Sequence, residues 1–296
     1  MVRHDSAEVN GIRLHYASEG SGRLLLFAHG FPEFWYEWKA QLAEFGRDYQ
    51  AVAPDLRGYN LSSKPAEVEQ YQMKYLVEDL RGLIGHLGHE RCTLVAHDWG
   101  GAVAWVFAAT YPTLLERLVI INAPHPAIFS RELAKNPAQV KASQYMVLLR
   151  SPQAEQTLTA HDFVLLRERF LGTHLWNTVF SEADRQAYLA AWSQPDALTG
   201  GLNYYRASRV TPASGEASAE PGKPDRDLSA LVVRVPTLVI WGEQDTALLT
   251  GNLEGLEQFV LDLTIKRIPD GSHWVIHEQP ALVNQYIREF LGASSR

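Results

Sequence analysis

Ala96-His97-Asp98-Trp99-Gly100-Gly101 follows the apolar run Cys92-Thr93-Leu94-Val95-Ala96 and opens a helical pattern that runs to Thr110. Small residues two positions either side of a central polar residue mark a tight strand-to-helix turn, which pushes one reactive side chain out over the end of a sheet. Bulk at either flank would collide with the neighbouring strand and helix. The side chain presented here is a carboxylate, Asp98.

Outward from this turn, short buried-type runs alternate with helical patterns. Asn10-Gly11, inside Ala7 to Tyr16, is a type I′ hairpin signal between two alternating strands. Leu24 to Ala28, Tyr49 to Ala53, Arg91 to Ala96 and Leu118 to Ile121 read as strands. Tyr75 to Leu87 reads as an amphipathic helix, and Gly100 to Thr110 as a helix packed on all sides. Apolar strands alternating with helices predict a parallel sheet covered on both faces. From about Pro126 to Thr211 the pattern turns helical and rich in Trp, Tyr and Leu, as expected of an inserted lid. The small and polar stretch Pro212 to Asp227 follows, a surface connection or a gate to the site. Strands return at Val232 to Ile240 and Leu263 to Ile268, and Pro280 to Leu291 supplies a closing helix. The expected division is a core of residues 1–125 and 228–296, with a lid and its connection at 126–227.

Composition narrows the function classes. The chain has 296 residues, 46% of them hydrophobic, enough for one large core with an appendage. The formal charge of −7 is spread along the chain without a Lys/Arg cluster, which argues against a nucleic acid partner. Neither a signal-peptide pattern nor a run long enough to span a bilayer is found, so the expectation is a cytoplasmic protein with no membrane partner. The single cysteine, Cys92, lies in an apolar run and reads as a buried structural thiol. His273 and His277 have a His-x-x-x-His spacing but lack the Glu of a zinc helix, so no metal or other cofactor is expected.

Two further residues stand in the order that a carboxylate nucleophile requires. Asp245 follows the strand ending at Ile240 through Trp241-Gly242-Glu243-Gln244, and His273 follows the strand ending near Ile268 through Pro269-Asp270-Gly271-Ser272. Nucleophile, acid and histidine in that order make a triad in which His273 is the base and Asp245 orients its ring. His29-Gly30-Phe31-Pro32-Glu33 lies directly after the strand Leu24 to Ala28, where an oxyanion loop belongs. The backbone N–H groups of Phe31 and Trp99 are the expected donors.

Together with Asp55-Leu56-Arg57-Gly58-Tyr59, Asn203-Tyr204-Tyr205-Arg206 and Gly271-Ser272-His273-Trp274, these motifs resemble those of the α/β-hydrolase-fold epoxide hydrolases over nearly the whole chain. The resemblance implies a mostly parallel central sheet with helices on both faces and an inserted helical lid. Its core motifs are shared with haloalkane and haloacetate dehalogenases. Epoxide hydrolases of this kind hold two lid tyrosines over the nucleophile, and Tyr145 and Tyr205 fall where those would be.

Aspartate itself restricts the chemistry. Attack on an ester would give an anhydride more reactive than the substrate, whereas attack on a saturated carbon gives an alkyl ester on Asp98. Water activated by His273 would then hydrolyse that ester. An opening epoxide develops an alkoxide and needs an acidic hydroxyl, which a phenol of pKa ~10 supplies. A departing halide needs N–H donors. Haloalkane dehalogenases commonly carry Asn where Phe31 stands, and fluoroacetate dehalogenases carry Arg where Trp99 stands, although the Trp99 indole could serve a halide. The expected activity is therefore conversion of a small-molecule epoxide to a vicinal diol, with dehalogenation as the alternative. A ligand-binding protein on the same fold is the reading from another class, opposed by the intact triad. Phe34, Trp35, Leu148, Trp176, Leu248 and Trp274 are the expected pocket walls. Leu148, Leu149, Phe163, Leu165 and Leu166 read as lid packing or as a self-association surface. The sequence leaves oligomeric state open.

Overall fold

A computed structural model describes residues 2–212 and 231–292. One sheet contains β1 (Arg3–Val9), β2 (Ile12–Glu19), β3 (Leu24–Ala28), β4 (Gln50–Pro54), β5 (Cys92–His97), β6 (Leu115–Ile121), β7 (Thr237–Gly242) and β8 (Leu263–Ile268). Their spatial order is β1-β2-β4-β3-β5-β6-β7-β8. Strand β2 runs antiparallel to its neighbours β1 and β4, and the remaining pairs are parallel. The β1–β2 hairpin turns at Asn10 and Gly11 with φ of 49° and 76°, the left-handed pair that a type I′ turn needs.

Three helices of the first part are α1 (Lys39–Phe45), α2 (Met73–His86) and α3 (Asp98–Thr110). The insertion carries α4 (Pro126–Lys135), α5 (Pro137–Ala142), α6 (Tyr145–Arg150), α7 (Ala154–Leu165), α8 (Glu182–Trp192) and α9 (Ala197–Ala207). Helices α10 (Val275–Glu278) and α11 (Pro280–Gly292) close the chain. The sheet separates two apolar cores, and β3 shows why its sequence lacks alternation. Leu24, Leu26 and Ala28 join the core under α2, α3 and the lid, whereas Leu25 and Phe27 join the one under α1 and α11. Each face needs its own apolar set, so every strand position is apolar.

Differences from the sequence reading have local causes. The run Val232 to Ile240 pairs as a strand only from Thr237, while Val233 forms a single bridge to Val260. Pro236 between them has no N–H to give to a ladder. Within the lid, α7 is interrupted at Ala160–Phe163, where His161, Asp162 and Phe163 take left-handed φ of 50°, 57° and 59°. Single turns of π-helix follow at Leu166–Phe170 and Leu175–Val179. Apart from Pro212, the Pro212 to Asp227 connection lies outside the described residues. Among those described, no helix is long and apolar enough to cross a membrane.

The lid sits on the core through specific seams. Gly200 of α9 rests on Gly58, and a Cβ at Gly200 would lie 2.2 Å from the Gly58 carbonyl oxygen. The Tyr204 hydroxyl, one turn later, donates to the Arg57 carbonyl at 2.9 Å. Arg57 is itself held by two bonds of 2.7 Å to Asp79, both partners buried. Removing one member of such a pair costs about 3–5 kcal/mol, so the loop under α9 is a firm base. Trp192 of α8 adds an indole N–H bond of 2.7 Å to the Pro32 carbonyl. Leu149 and Leu166 are buried within the lid, and Phe163 packs on Trp192, so these apolar residues serve its own packing.

Candidate active site

Asp98 stands at the C-terminal end of β5 with φ of 46°, a left-handed conformation costing a non-glycine residue about 1–2 kcal/mol. The turn is as tight as its small residues suggest. A Cβ at Gly100 would lie 2.2 Å from the Ala28 carbonyl oxygen, so only glycine lets α3 start this close to β3. Asp98 Oδ1 accepts the Phe31 N–H at 2.8 Å. Trp99 follows Asp98 in the first turn of α3, where backbone N–H groups have no partner within the helix.

His273 lies in the loop between β8 and α10. Its Nε2 is 3.8 Å from Asp98 Oδ2, and its Nδ1 is 2.7 Å from Asp245 Oδ2. A nitrogen facing a carboxylate at that distance carries the proton, which leaves Nε2 toward Asp98. Burial works against the charged ring, but the Asp245 carboxylate, with Asp98 adding to it, pushes His273 up to about 9. Asp245 is buried, which alone would raise it, yet His273 and other donors hold it below the usual carboxylate range. Its Oδ1 accepts from the N–H groups of Ala247 and Leu248, both at 2.8 Å.

Two supports escaped the sequence reading. Asn122, just past β6 with φ of 39°, donates to Asp245 Oδ2 at 2.9 Å and accepts the Gly242 N–H at 2.8 Å. Read in sequence, it is only a turn residue. Glu278 accepts from the Ser272 N–H and hydroxyl at 2.8 and 2.7 Å, fixing the loop that carries His273. Neither has a motif of its own, since each acts on a residue distant in sequence or held by a loop.

Above this pair stand the lid phenols. Tyr205 of α9 is buried and Tyr145 of α6 half-buried, with ring centroids 6.2 Å apart. Burial raises both hydroxyls, and the Asp98 charge adds to the shift. The neighbouring Trp99 side chain opposes it at Tyr205. The Phe31 ring meets Tyr205 edge-on at 5.4 Å, and Trp99 meets it at 5.1 Å. Phe170, absent from the sequence reading, packs against Phe31 at 5.8 Å and Tyr145 at 6.1 Å. It comes from a π-turn with no sequence signal, and its carbonyl accepts the Trp274 indole N–H at 2.9 Å.

The expected pocket walls divide. Trp274 lies 4.7 Å from the His273 ring, and Leu248 contributes the N–H that holds Asp245. Leu148 is a correction: it is 37% exposed, because the buried face of the short α6 is taken by Met146 and Leu149. Trp35 meets the ring of His4 on β1, Phe34 packs on Tyr188, and Trp176 stacks on Trp192. Those three contacts belong to sheet-edge and lid packing. Cys92 is buried, and burial raises its thiol. The carboxylates of Glu33 and Glu37 and the ring of His277 gather within 4.8 Å. Glu33 there accepts from Tyr188 and pairs with His277 at 3.1 Å, which satisfies both groups without an ion.

Residues 23–280 match the family model of the alpha/beta hydrolase fold. The chain is 39% identical over 290 residues to Epoxide hydrolase 3 of Xenopus tropicalis, covering 95% of this chain and 75% of that protein. It is 36% identical to Epoxide hydrolase 4 of Mus musculus, covering 97% and 78% respectively. Among solved structures it resembles the epoxide hydrolase of Bacillus megaterium in complex with an inhibitor. The TM-score is 0.90 at 37% identity, covering 98% of this chain and all of that one. A phenylalanine-to-alanine mutant of the Bacillus enzyme, complexed with its naphthyloxy-propanediol product, gives 0.88 at 36% identity, with 98% and 100% covered.

Proposed function

The chain belongs to the α/β-hydrolase-fold epoxide hydrolases, and from that premise we propose that it opens its substrate by direct attack of Asp98. The protein is an epoxide hydrolase acting on a small molecule. The observation that carries the mechanism is the line Asp245–His273–Asp98, with contacts of 2.7 and 3.8 Å, beneath the phenols of Tyr145 and Tyr205.

In the first step a carboxylate oxygen of Asp98 bonds to a ring carbon and that carbon's bond to the ring oxygen breaks. The oxygen leaves as an alkoxide still tethered to the other carbon, and it takes a proton from Tyr205 or Tyr145. A hydroxyalkyl ester remains on Asp98. The enclosed rings keep bulk water from competing for the alkoxide.

In the second step Nε2 of His273 takes a proton from water, and the hydroxide attacks Cγ of the Asp98 ester. The resulting oxyanion is held by the N–H groups of Phe31 and Trp99. Collapse expels the second diol oxygen, which takes the proton of the newly added hydroxyl, so the diol leaves and Asp98 returns to a carboxylate, while the proton on His273 restores the phenol. Esterification also removes the negative charge of Asp98, one of the influences that raise His273, so the imidazole sheds its proton more readily when it must act as a base.

Single turnover with styrene oxide in ¹⁸O-water tests this reading. The label should enter Asp98 and be absent from the first diol released. Asp98→Asn should lose turnover by at least about 10³-fold, and His273→Gln should accumulate an ester detectable by intact mass. Label appearing directly in the first diol would refute the ester.

A further inference from the structure

Beside the triad, a second buried pair of ionisable groups is used by none of the steps above. Glu37 lies in the turn Trp35–Trp38 and His97 is the last residue of β5, and both side chains are wholly buried. Nε2 of His97 lies 3.0 Å from the backbone carbonyl oxygen of His273. A carbonyl oxygen only accepts, so this nitrogen carries a hydrogen. Nδ1 of the same ring lies 2.5 Å from Glu37 Oε1, a close contact bent away from ideal hydrogen-bond angles, and neither atom has another polar partner. Two bare lone pairs would repel at that separation. A proton lies between them.

That proton could make an imidazolium facing a carboxylate, or a carboxylic acid donating to a neutral imidazole. The surroundings decide. Glu37 Oε2 is buried without any donor, a costly position for an ionised oxygen. The neighbouring Glu33 accepts from Tyr188 and pairs with His277, so a charged Glu37 would be a second negative group in the same dry space. On the other side, the His97 ring is 4.6 Å from that of His273. Asp245 favours a positive charge on His273, which disfavours another on His97. The same forces act on proton affinity. Burial and His273 pull His97 down to about 3, while burial and Glu33 raise Glu37, opposed by His277. Lys39 faces His277 from α1, and Asp98 reaches both members of the pair.

We infer that Glu37 is a positioning residue in its neutral acid form, donating to Nδ1 of His97 and so locking the Nε2–H tautomer that holds the carbonyl of His273. Without the donor, His97 is free to place its hydrogen on Nδ1. A lone pair would then face the His273 carbonyl, and the loop carrying the base would shift. The inference rests on the proposed role of His273 and adds a proton-locked strut behind it.

Glu37→Gln retains a donor but cannot ionise, whereas Glu37→Leu removes the donor at similar volume. The Gln variant should keep kcat within about twofold of the parent from pH 6 to 9. The Leu variant should lose about tenfold in kcat at unchanged KM, with more ester accumulating, because a small displacement of the base slows the water step. A Gln variant as impaired as Leu, or a Leu variant with parental kcat, would overturn the inference. A second measurement needs no folded Leu variant. In ¹⁵N-histidine-labelled parent protein, the ring of His97, identified by its loss in His97→Gln, should show the neutral Nε2–H pattern across this pH range. An imidazolium pattern would sink the idea. Ester trapping in His273→Gln tests the underlying two-step reading separately.

Discussion

The core and the lid fix their reactive groups by different means. Below, Asp98 is held by a strained turn and the Phe31 N–H, and Asp245 by four donors, two of them backbone. Above, Tyr145 and Tyr205 ride on lid helices, and the lid is tied to the core by bonds that include those of Tyr204, Trp192 and Tyr188, and by the Gly58–Gly200 seam. Backbone donors hold the carboxylates of Asp98 and Asp245, while the lid ties are mostly single side-chain hydrogen bonds to the core. On the proposed mechanism the chemistry of the ester belongs to the core, and the protonation of the opening epoxide to the lid.

Removing both roof phenols is the strongest way to divide the two halves. Tyr145→Phe with Tyr205→Phe should slow ester formation by at least about 10²-fold, since a general acid contributes on that order. Hydrolysis of ester already formed should change far less, and stopped-flow single turnovers resolve the two rates. Equal losses in both steps would mean that lid and core are not separable.

A second division is by pH. His273 is raised to about 9 in the folded enzyme from an ordinary 6.5. Its charged form therefore stabilises the fold fully below about pH 6.5, and this contribution fades as pH rises toward and past 9. The shift corresponds to about 3 kcal/mol. Urea unfolding of parent and His273→Gln should converge in stability by about that amount between pH 6 and 10, with no convergence for the tyrosine variants.

The smallest effect concerns one tie. Trp192→Phe removes the donor to the Pro32 carbonyl and should cost about 1–3 kcal/mol, read as a modest fall in Tm. The core chemistry should remain, with kcat within a few-fold and a larger change in KM. A collapse of kcat would show that this tie sets the base as well as the roof.

The same contrast explains what could be read from the sequence. Strands β3 and β8 lie where their strand patterns put them, and the order Asp98, Asp245, His273 follows from strand ends, because period and turn chemistry are local. Phe170 and the left-handed break at His161–Phe163 were illegible, since π-turns and such breaks are set by packing between lid helices. Leu148 misled because a six-residue helix has room for few inward positions. Glu37 was hidden inside an aromatic run, Trp35-Tyr36-Glu37-Trp38, where only the fold reveals that its carboxyl meets His97.

At the seam of Gly58 and Gly200, main chain lies directly on main chain. A single methyl group inserted there would act as a shim, lifting the ceiling above Asp98 while leaving the rings that meet the epoxide unchanged in kind. The height of Tyr205 on α9 thus depends on two positions that carry no side chain.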